Sequence, residues 1–347
     1  MKIKEMTYMF ELTNINDFFE SHIESVIQEV IAAEKSKVLR NEITEGTFRI
    51  NAVRLNTHIY QFFKNKVLSD IDTDCIEDFV EYLTAQNFST PTIIGYLSNF
   101  KKVIRLLMRR KILAQMPLFP RLKMNSIPRG AFTITEYASI LKASKALRYK
   151  ECKGDSPEKR FHMRLSYRHM PHEMNWLIRF MVYTFLRPGD IRQLKNKHIA
   201  VILGKYNYLR ITPPEVKRHR SAMVSMPQAV GIYNRVKAFN TANGFGAPED
   251  YVFFPQETNR QFALSTIGWL FSWILKEQGL KLGPHGGDRT FYSLRHTAIT
   301  FRLIYGGNID LLTLARNART SVEMIEKFYA STLSAEMNIS LLHSKRQ

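Results

Sequence analysis

The sequence predicts a mainly helical protein with one small antiparallel β-sheet, and three observations support this fold class. Long stretches in the first third and the last quarter of the chain place apolar residues at helical spacing. Between them lie three short runs rich in β-branched and aromatic residues, separated by turn residues: 200–203, 206–211 and 222–226. A stretch without periodicity, 117–131, contains Pro117, Pro120, Pro128 and Gly130 and is typical of a linker.

The length of 347 residues exceeds that of a usual single domain, so separate cores are expected. We divide the chain into an N-terminal helical extension (1–43), a helical domain (44–116), the linker (117–131) and a second domain (132–347). The helical pattern of the extension runs from Asn14 to about Arg40, and it fits either a packing helix or a partner helix.

Three helices are expected between residues 44 and 111, and the last has the clearest signals. Thr90 can cap it, Pro91 suits the first helical position, and apolar residues recur at helical spacing through Leu107. Basic residues lie beside this stripe, namely Lys101, Lys102, Arg105, Arg109, Arg110 and Lys111. They form either an ordinary solvated face or a surface that binds DNA phosphates.

The charge balance favours a polyanionic partner. Lys and Arg number 50 against 31 Asp and Glu, a formal net charge of +19. Such an excess repels itself in a compact protein unless a polyanion binds it, so nucleic acid is the first candidate and an anionic membrane the second. The longest apolar run, near 174–188, is broken by Arg179 and is too short to span a bilayer. The first residues lack the apolar core of a signal peptide, so we expect a cytoplasmic protein.

No metal site or disulfide is expected. Cys75 and Cys152 are far apart in sequence. The only cluster of metal-ligating residue types, His162, His169, His172 and Glu173, lacks the second His of an H-E-x-x-H helix. It lies in a polar stretch with Arg and Tyr, and we interpret it as a solvated loop.

The second domain is expected to begin near residue 132, where Thr133 and Glu136 form a capping box. Residues 173–186 predict a buried helix, the three β-rich runs predict the sheet, and helical patterns resume near Asn259.

Three short motifs in this domain carry residue types that suit phosphate chemistry. The first, TFLRPGDIRQL (184–194), places Arg187 where an apolar helix breaks at Pro188, so a guanidinium can be aimed at an oxyanion. The second, YSLRHTAIT (292–300), puts Tyr292 and Arg295 on one face of a helix. The third, TSVEMIEKFYA (320–330), contains Tyr329.

In this order the motifs resemble the boxes of the tyrosine recombinase (phage integrase) family. Arg187 with Asp190 matches the Arg and acidic residue of the first box. Arg295 with His296 matches the second box, in which Tyr292 stands where the usual residue is His. The resemblance covers roughly residues 44–335 and implies a helical core-binding domain followed by a tyrosine-recombinase catalytic domain.

The third box of the family places a His or Trp nine residues before the nucleophilic Tyr, and Thr320 and Tyr329 occupy these two places. The family also has a Lys on a β-hairpin between the first two boxes. Lys217 is the best match for it, with Arg218 and Arg220 as rivals.

The resemblance implies that Arg187 and Arg295 hold the nonbridging oxygens of one phosphate, that Tyr329 attacks it, and that Lys217 protonates the leaving oxygen. This chemistry requires no cofactor or metal. Tyr292 is expected as a hydrogen-bonding partner in the site. Thr320 is also expected to form a capping box with Glu323.

Two neighbours of these residues are expected to have structural roles. We expect Asp190 to orient Arg187 or cap a helix, and His296 to pack behind the site.

By the same resemblance, the chain is a site-specific recombinase for DNA integration or excision. It would close as a clamp around double-stranded DNA, and four copies would assemble on two recombination sites. Two alternatives stay open: a DNA-binding regulator that keeps the fold without cleavage, and a type IB topoisomerase, against which the helical domain argues.

Overall fold

The computed structural model describes residues 23–123, 130–152, 167–213, 222–307 and 309–329, and for residues 328 and 329 it describes the backbone alone. The chain divides into two compact units, Met1–Ser126 and Ile127–Gln347, and each has its own hydrophobic core. The division falls inside the stretch 117–131. No helix of the described residues is long and apolar enough to cross a bilayer.

The first unit is helical throughout its described part. Its elements are α1 (Ile23–Leu39), α2 (Glu45–Arg54), a π-helical turn (Leu55–Ile59), α3 (Tyr60–Phe63), a 3₁₀ turn (Leu68–Asp70), α4 (Thr73–Ala85) and α5 (Thr90–Arg109).

Helix α5 is the centre of this unit and begins one residue earlier than expected. The N-cap is Ser89, so Thr90 is the first helical residue and Pro91 follows it. The predicted apolar stripe is buried, and Phe100, Ile104 and Leu107 are completely inaccessible to solvent.

Helix α1 packs into the same core as α5. Val26, Ile27 and Val30 are buried in it together with Phe100 and Leu107. Of the two interpretations left open for this segment, a packing helix and a partner helix, its described part fits the packing helix.

The second unit is helical around one small sheet. Its elements are α6 (Ile134–Ala146), a 3₁₀ turn (Leu147–Tyr149), α7 (His172–Thr184), α8 (Pro188–Gln193), a 3₁₀ turn (Asn196–His198), β1 (Ile199–Ile202), β2 (Tyr208–Ile211), β3 (Met223–Val224), α9 (Gln228–Ala242), α10 (Arg260–Glu277), α11 (Ser293–Tyr305), α12 (Leu311–Asn317) and α13 (Val322–Tyr329).

The three β-rich runs form an antiparallel sheet in the order β1-β2-β3. Ile199 pairs with Ile211, and Arg210 pairs with Val224. Leu209 and Ile211 point into the core, where they are fully buried, because alternate residues of a strand face opposite sides.

Helix α7 lies in the middle of this core and packs against α6, α9 and α11. The capping box expected at its neighbour α6 is present: Thr133 Oγ1 accepts the Glu136 N–H, and Glu136 Oε2 accepts the Thr133 N–H at 2.8 Å. Helix α9 was not predicted, because Gly231 and several polar residues weaken its apolar pattern.

The solvated-loop interpretation of 162–173 is wrong at its end. His172 and Glu173 form the first turn of α7, and the Glu173 side chain is buried, with Oε1 accepting the Phe254 N–H at 3.1 Å. Burial raises the pKa of Glu173 to about 7. His162 lies outside the described residues.

Candidate active site

The first motif forms a tight junction between α7 and α8. Phe185 ends α7 in the left-handed region, with φ of 57°, and Arg187 becomes the N-cap of α8 ahead of Pro188. Asp190 Oδ2 accepts the Arg187 N–H at 2.9 Å, which confirms the capping role expected for Asp190. The backbone direction at Arg187 is therefore fixed by a buried carboxylate.

Arg295, on the first turns of α11, is one of the few buried guanidinium groups, with 2% of the residue exposed. Its Nη1 donates to the Phe185 carbonyl and its Nη2 donates to the Ala318 carbonyl. One planar fork thus joins the end of α7 to the segment before α13.

Helix α12 ends in a Schellman turn, which explains why the carbonyls of the next residues are free to accept hydrogen bonds. The Arg319 N–H donates to the Arg316 carbonyl at 3.1 Å, and the Thr320 N–H donates to the Ala315 carbonyl at 2.9 Å. Arg319 has φ of 54°, a conformation that glycine usually supplies at this place. The carbonyls of Ala318 and Arg319 come after the last helical acceptor and have no helical donor.

Two guanidinium groups bind these two neighbouring carbonyls. Arg295 Nη2 donates to Ala318, and Arg187 Nη2 donates to Arg319. Because adjacent Cα atoms are about 3.8 Å apart, the two side chains meet at one turn. Arg187 is half-buried and Arg295 is buried. The structure therefore brings the first and second motifs together where the third one begins.

Arg319 belongs to this cluster, although it lies outside the three motifs. Its side chain is fully buried, and Nη1 lies 3.4 Å from Asp190 Oδ1. Its position one residue before Thr320, in the approach to the third motif, is the only sequence signal that pointed to it.

Asn317 is a second residue that the sequence analysis missed. Its Oδ1 accepts the Val224 N–H at 2.8 Å, and its Nδ2 donates to the Val224 carbonyl at 2.9 Å. The side chain thus pairs with β3 as another strand would, and it fixes the end of the sheet to the turn at 318–319.

Tyr292, the N-cap of α11, and His296, on the first turn of that helix, lie next to each other. Their ring centroids are 5.2 Å apart with an interplanar angle of 60°, and both residues are partly exposed. This contact is compatible with the packing role expected for His296.

The third motif leads into α13, whose cap differs from the prediction. The helix begins at Val322, and Ser321 Oγ accepts the Met324 N–H at 3.2 Å. The capping box expected of Thr320 with Glu323 is therefore wrong by one residue, because the Thr320 N–H is part of the Schellman turn. Tyr329 is placed on the last described turn of α13.

Two parts of the predicted site lie outside the described residues. One is the side chain of Tyr329, and the other is the segment 214–221 with Lys217, Arg218 and Arg220.

The basic edge of α5 contains residues that pair with carboxylates of α1 and residues that are exposed to solvent. Lys102 Nζ lies 2.7 Å from Glu34 Oε2, and Arg110 bonds Glu29, so both cations join α5 to α1. Lys101 Nζ lies 4.7 Å from the centroid of the Phe119 ring. Arg105 and Arg109 are exposed to solvent.

The described residues contain no group of three or more His, Cys, Asp or Glu that could hold a metal ion. At 318–319 the forks of Arg187 and Arg295 meet at neighbouring carbonyl groups, and paired guanidinium forks suit an oxyanion.

Solved structures of DNA integrases and recombinases have the same fold as this chain. A lambda integrase dimer bound to a core site superposes with a TM-score of 0.62 at 16% identity, over 92% of this chain and 80% of that one. The Tn1549 transposon integrase, in complex with a circular intermediate DNA, has a TM-score of 0.62 at 13% identity, over 91% of this chain and 98% of that one. XerH site-specific recombinase bound to its difH substrate has a TM-score of 0.57 at 15% identity, over 85% and 79%.

The fold is thus that of the phage-type integrases, and the expected combination of a helical domain with a mixed, mainly helical domain is confirmed. More specifically, residues 14–124 match the family model of the phage integrase SAM-like domain. No curated protein matches the sequence.

Proposed function

We propose that this chain is a site-specific DNA recombinase that cleaves and rejoins DNA through a covalent 3′-phosphotyrosine bond at Tyr329, for integration or excision of DNA. One observation carries the proposal. Arg187 and Arg295, from separate elements, donate to adjacent carbonyls of the turn that leads into the helix of Tyr329.

The two guanidinium groups suit a phosphodiester under attack. Negative charge grows on the two nonbridging oxygens in the transition state, and preorganised donors stabilise it there. These bonds go to neutral carbonyl groups, so none of them cancels a positive charge. Each guanidinium has five N–H donors, and a carbonyl accepts one or two of them.

Tyr329 is the proposed nucleophile. Its phenol oxygen releases its proton to solvent and bonds to phosphorus while the bond from phosphorus to the 5′ oxygen breaks, and Lys217 gives a proton to that leaving oxygen. Arg218 and Arg220 are the rivals of Lys217 in this role. The phosphotyrosine linkage keeps the energy of the broken bond, so a free 5′ hydroxyl of another strand can reverse the attack.

The DNA partner is proposed from charge and from the relatives together. The net charge of +19 suits a polyanion. The lambda and Tn1549 integrases and XerH are described in complexes with DNA, and lambda integrase also as a tetramer on a Holliday junction. We propose double-stranded DNA as the substrate and a tetramer on paired sites as the working assembly.

The test is to identify the covalent bond on the full chain. The protein is incubated with a supercoiled plasmid that carries the genomic flanks of its own gene, the reaction is stopped with detergent, and the DNA is digested by nuclease. Trypsin then releases residues 328–345, in which Tyr329 is the only tyrosine. The expected result is this peptide with a nucleotide phosphate on Tyr329, seen by mass spectrometry.

Tyr329→Phe should abolish the adduct, and Tyr305→Phe, on a largely exposed tyrosine, should retain it. An adduct that survives Tyr329→Phe would overturn the assignment of the nucleophile. DNA binding without any adduct would favour a non-cleaving regulator. Relaxation of plasmids with and without the flanks alike would favour a topoisomerase.

A further inference from the structure

We infer that Arg319 is a positioning residue for Arg187: its buried guanidinium holds Asp190, and through Asp190 it fixes where Arg187 lies against the turn before α13. The inference deepens the proposed function and rests on it, because Arg187 is the group proposed to bind the reacting phosphate.

The backbone of Arg319 is the first observation. Arg319 occupies the C′ position of a Schellman turn with φ of 54°, where glycine is favoured because a Cβ atom is strained there. A long side chain in such a conformation persists when the surroundings over-determine it, and that strain points to a role for the side chain.

The burial of the guanidinium is the second observation. Arg319 is 1% exposed and is the largest fully buried side chain of the described residues. Its Nη1 pairs with Asp190, while Nε and Nη2 have no partner in the described part of the chain. A cation held so deep with only one carboxylate is costly, so a merely stabilising role explains it poorly.

The connections form a closed ring, which is the third observation. The Arg319 side chain pairs with one oxygen of Asp190, and the other oxygen accepts the Arg187 N–H. In return, the Arg187 side chain donates to the Arg319 carbonyl. A shift of Arg187 or of Arg319 would therefore break at least one of these three contacts.

The burial also limits what Arg319 can do. Its guanidinium is fully buried with Nη1 3.4 Å from Asp190 Oδ1, and the other oxygen of Asp190 accepts the Arg187 N–H, so its effect passes through Asp190 to Arg187. The role is therefore one of positioning.

The experiment compares adduct formation in the full chain and its variants on the plasmid described above. Arg319→Gly removes the guanidinium but suits the backbone, so the turn is retained. We expect it to slow adduct formation by about ten- to a hundredfold, as small misplacements of catalytic groups do. DNA affinity is expected to stay unchanged, and Arg319→Lys, which keeps the charge, should recover part of the rate.

A double variant separates positioning from a general structural role. If Arg319 acts through Arg187, then Arg187→Gln with Arg319→Gly is no slower than Arg187→Gln alone. Rate losses that multiply in the double variant would overturn the inference, and so would a wild-type rate in Arg319→Gly.

Hydrogen exchange of the DNA-free chain tests the same contact without cleavage. In Arg319→Gly, or in Arg319→Lys if the glycine variant does not fold, the Arg187 amide should exchange faster while the amides of α9 do not change. Unchanged exchange at Arg187 would overturn the inference. A wild-type chain that forms no adduct at all would instead contradict the proposed function, and hydrogen exchange would still decide the role of Arg319.

Discussion

Two pairs of basic residues, one in each unit, differ in the groups that they bond to. On α5, Lys102 and Arg110 pair with the carboxylates of Glu34 and Glu29 on α1. In the second unit, Arg187 and Arg295 donate to carbonyl groups of residues 185, 318 and 319. The first arrangement pairs each cation with a carboxylate, whereas the bonds of the second arrangement orient each cation through neutral carbonyl groups.

This difference shows that a basic pattern in a sequence does not by itself define a phosphate site. Burial would raise the pKa of Glu34, but its bonds to Lys102 and Lys37 outweigh burial and hold that pKa below its ordinary value. Lys102 thus forms a stable ion pair with Glu34. A neutral carbonyl holds an arginine in place but leaves its charge available to a phosphate.

The largest expected effect comes from replacing the forked guanidinium group of Arg295 by the single ammonium group of lysine. Arg295→Lys keeps the cation but cannot bind the carbonyls of Phe185 and Ala318 together. We expect adduct formation to fall by at least about a hundredfold, the magnitude typical for loss of a preorganised donor. Adduct yield over time on the plasmid measures it.

Arg316→Lys is the matched control, because Arg316 is exposed on α12 close to the same turn. It should keep the wild-type rate. Equal losses in the two variants would mean that the carbonyl-bound arrangement of Arg295 carries no special role, and the contrast between the two units would fail.

The pKa of the buried Glu173 carboxyl moves in the opposite direction to the pKa of Glu34. Glu173 accepts the Phe254 N–H, and burial raises its pKa to about 7 from an ordinary value of 4.5. The folded chain therefore binds a proton more tightly than the unfolded chain, and stability falls as pH rises from about 4.5 to 7.

Glu173→Gln keeps the acceptor oxygen and removes this titration. Its unfolding temperature should approach that of the wild type near pH 4.5 and exceed it above pH 7, by a free energy on the order of 3 kcal/mol at most. Thermal unfolding at several pH values measures the difference. Glu277→Gln is the control of opposite sign, since a bond to Lys150 lowers the pKa of Glu277. A constant offset across pH would contradict the prediction.

Much of the fold could be predicted because it depends on local signals. The capping box at Thr133, the apolar stripe of α5 and the three β-rich runs each act within a few residues of sequence. The caps at Ser89 and Ser321 were misplaced by one residue, because Ser and Thr are adjacent at both helix starts and either can cap.

The candidate site could be predicted only in part. Arg187 and Arg295 stand in motifs, and the structure brings them together. Arg319 and Asn317 depend on how α12 ends, and a left-handed arginine at a helix end leaves no signal in a sequence, where glycine is the usual indicator. The buried helix predicted over 173–186 is present, but the interpretation of Glu173 as part of a solvated loop was wrong, because the burial of its side chain comes from long-range packing near Phe254.

The smallest expected effect concerns the basic edge of α5 and tests the contrast inside a single helix. Arg105 is exposed, whereas Lys102 is bonded to Glu34 at 2.7 Å. If the edge binds DNA phosphates, Arg105→Gln should weaken DNA binding severalfold and reduce the slope of log affinity against log salt by about one. Lys102→Gln should leave that slope unchanged and lower the unfolding free energy by about 1–2 kcal/mol, because Glu34 keeps Lys37 and Asn51 as partners. Fluorescence anisotropy with a labelled duplex over a salt series measures both variants. Equal slope changes in the two variants would show that Lys102 leaves Glu34 and binds the DNA. The pairing with Glu34 would then not keep Lys102 from the DNA-binding surface.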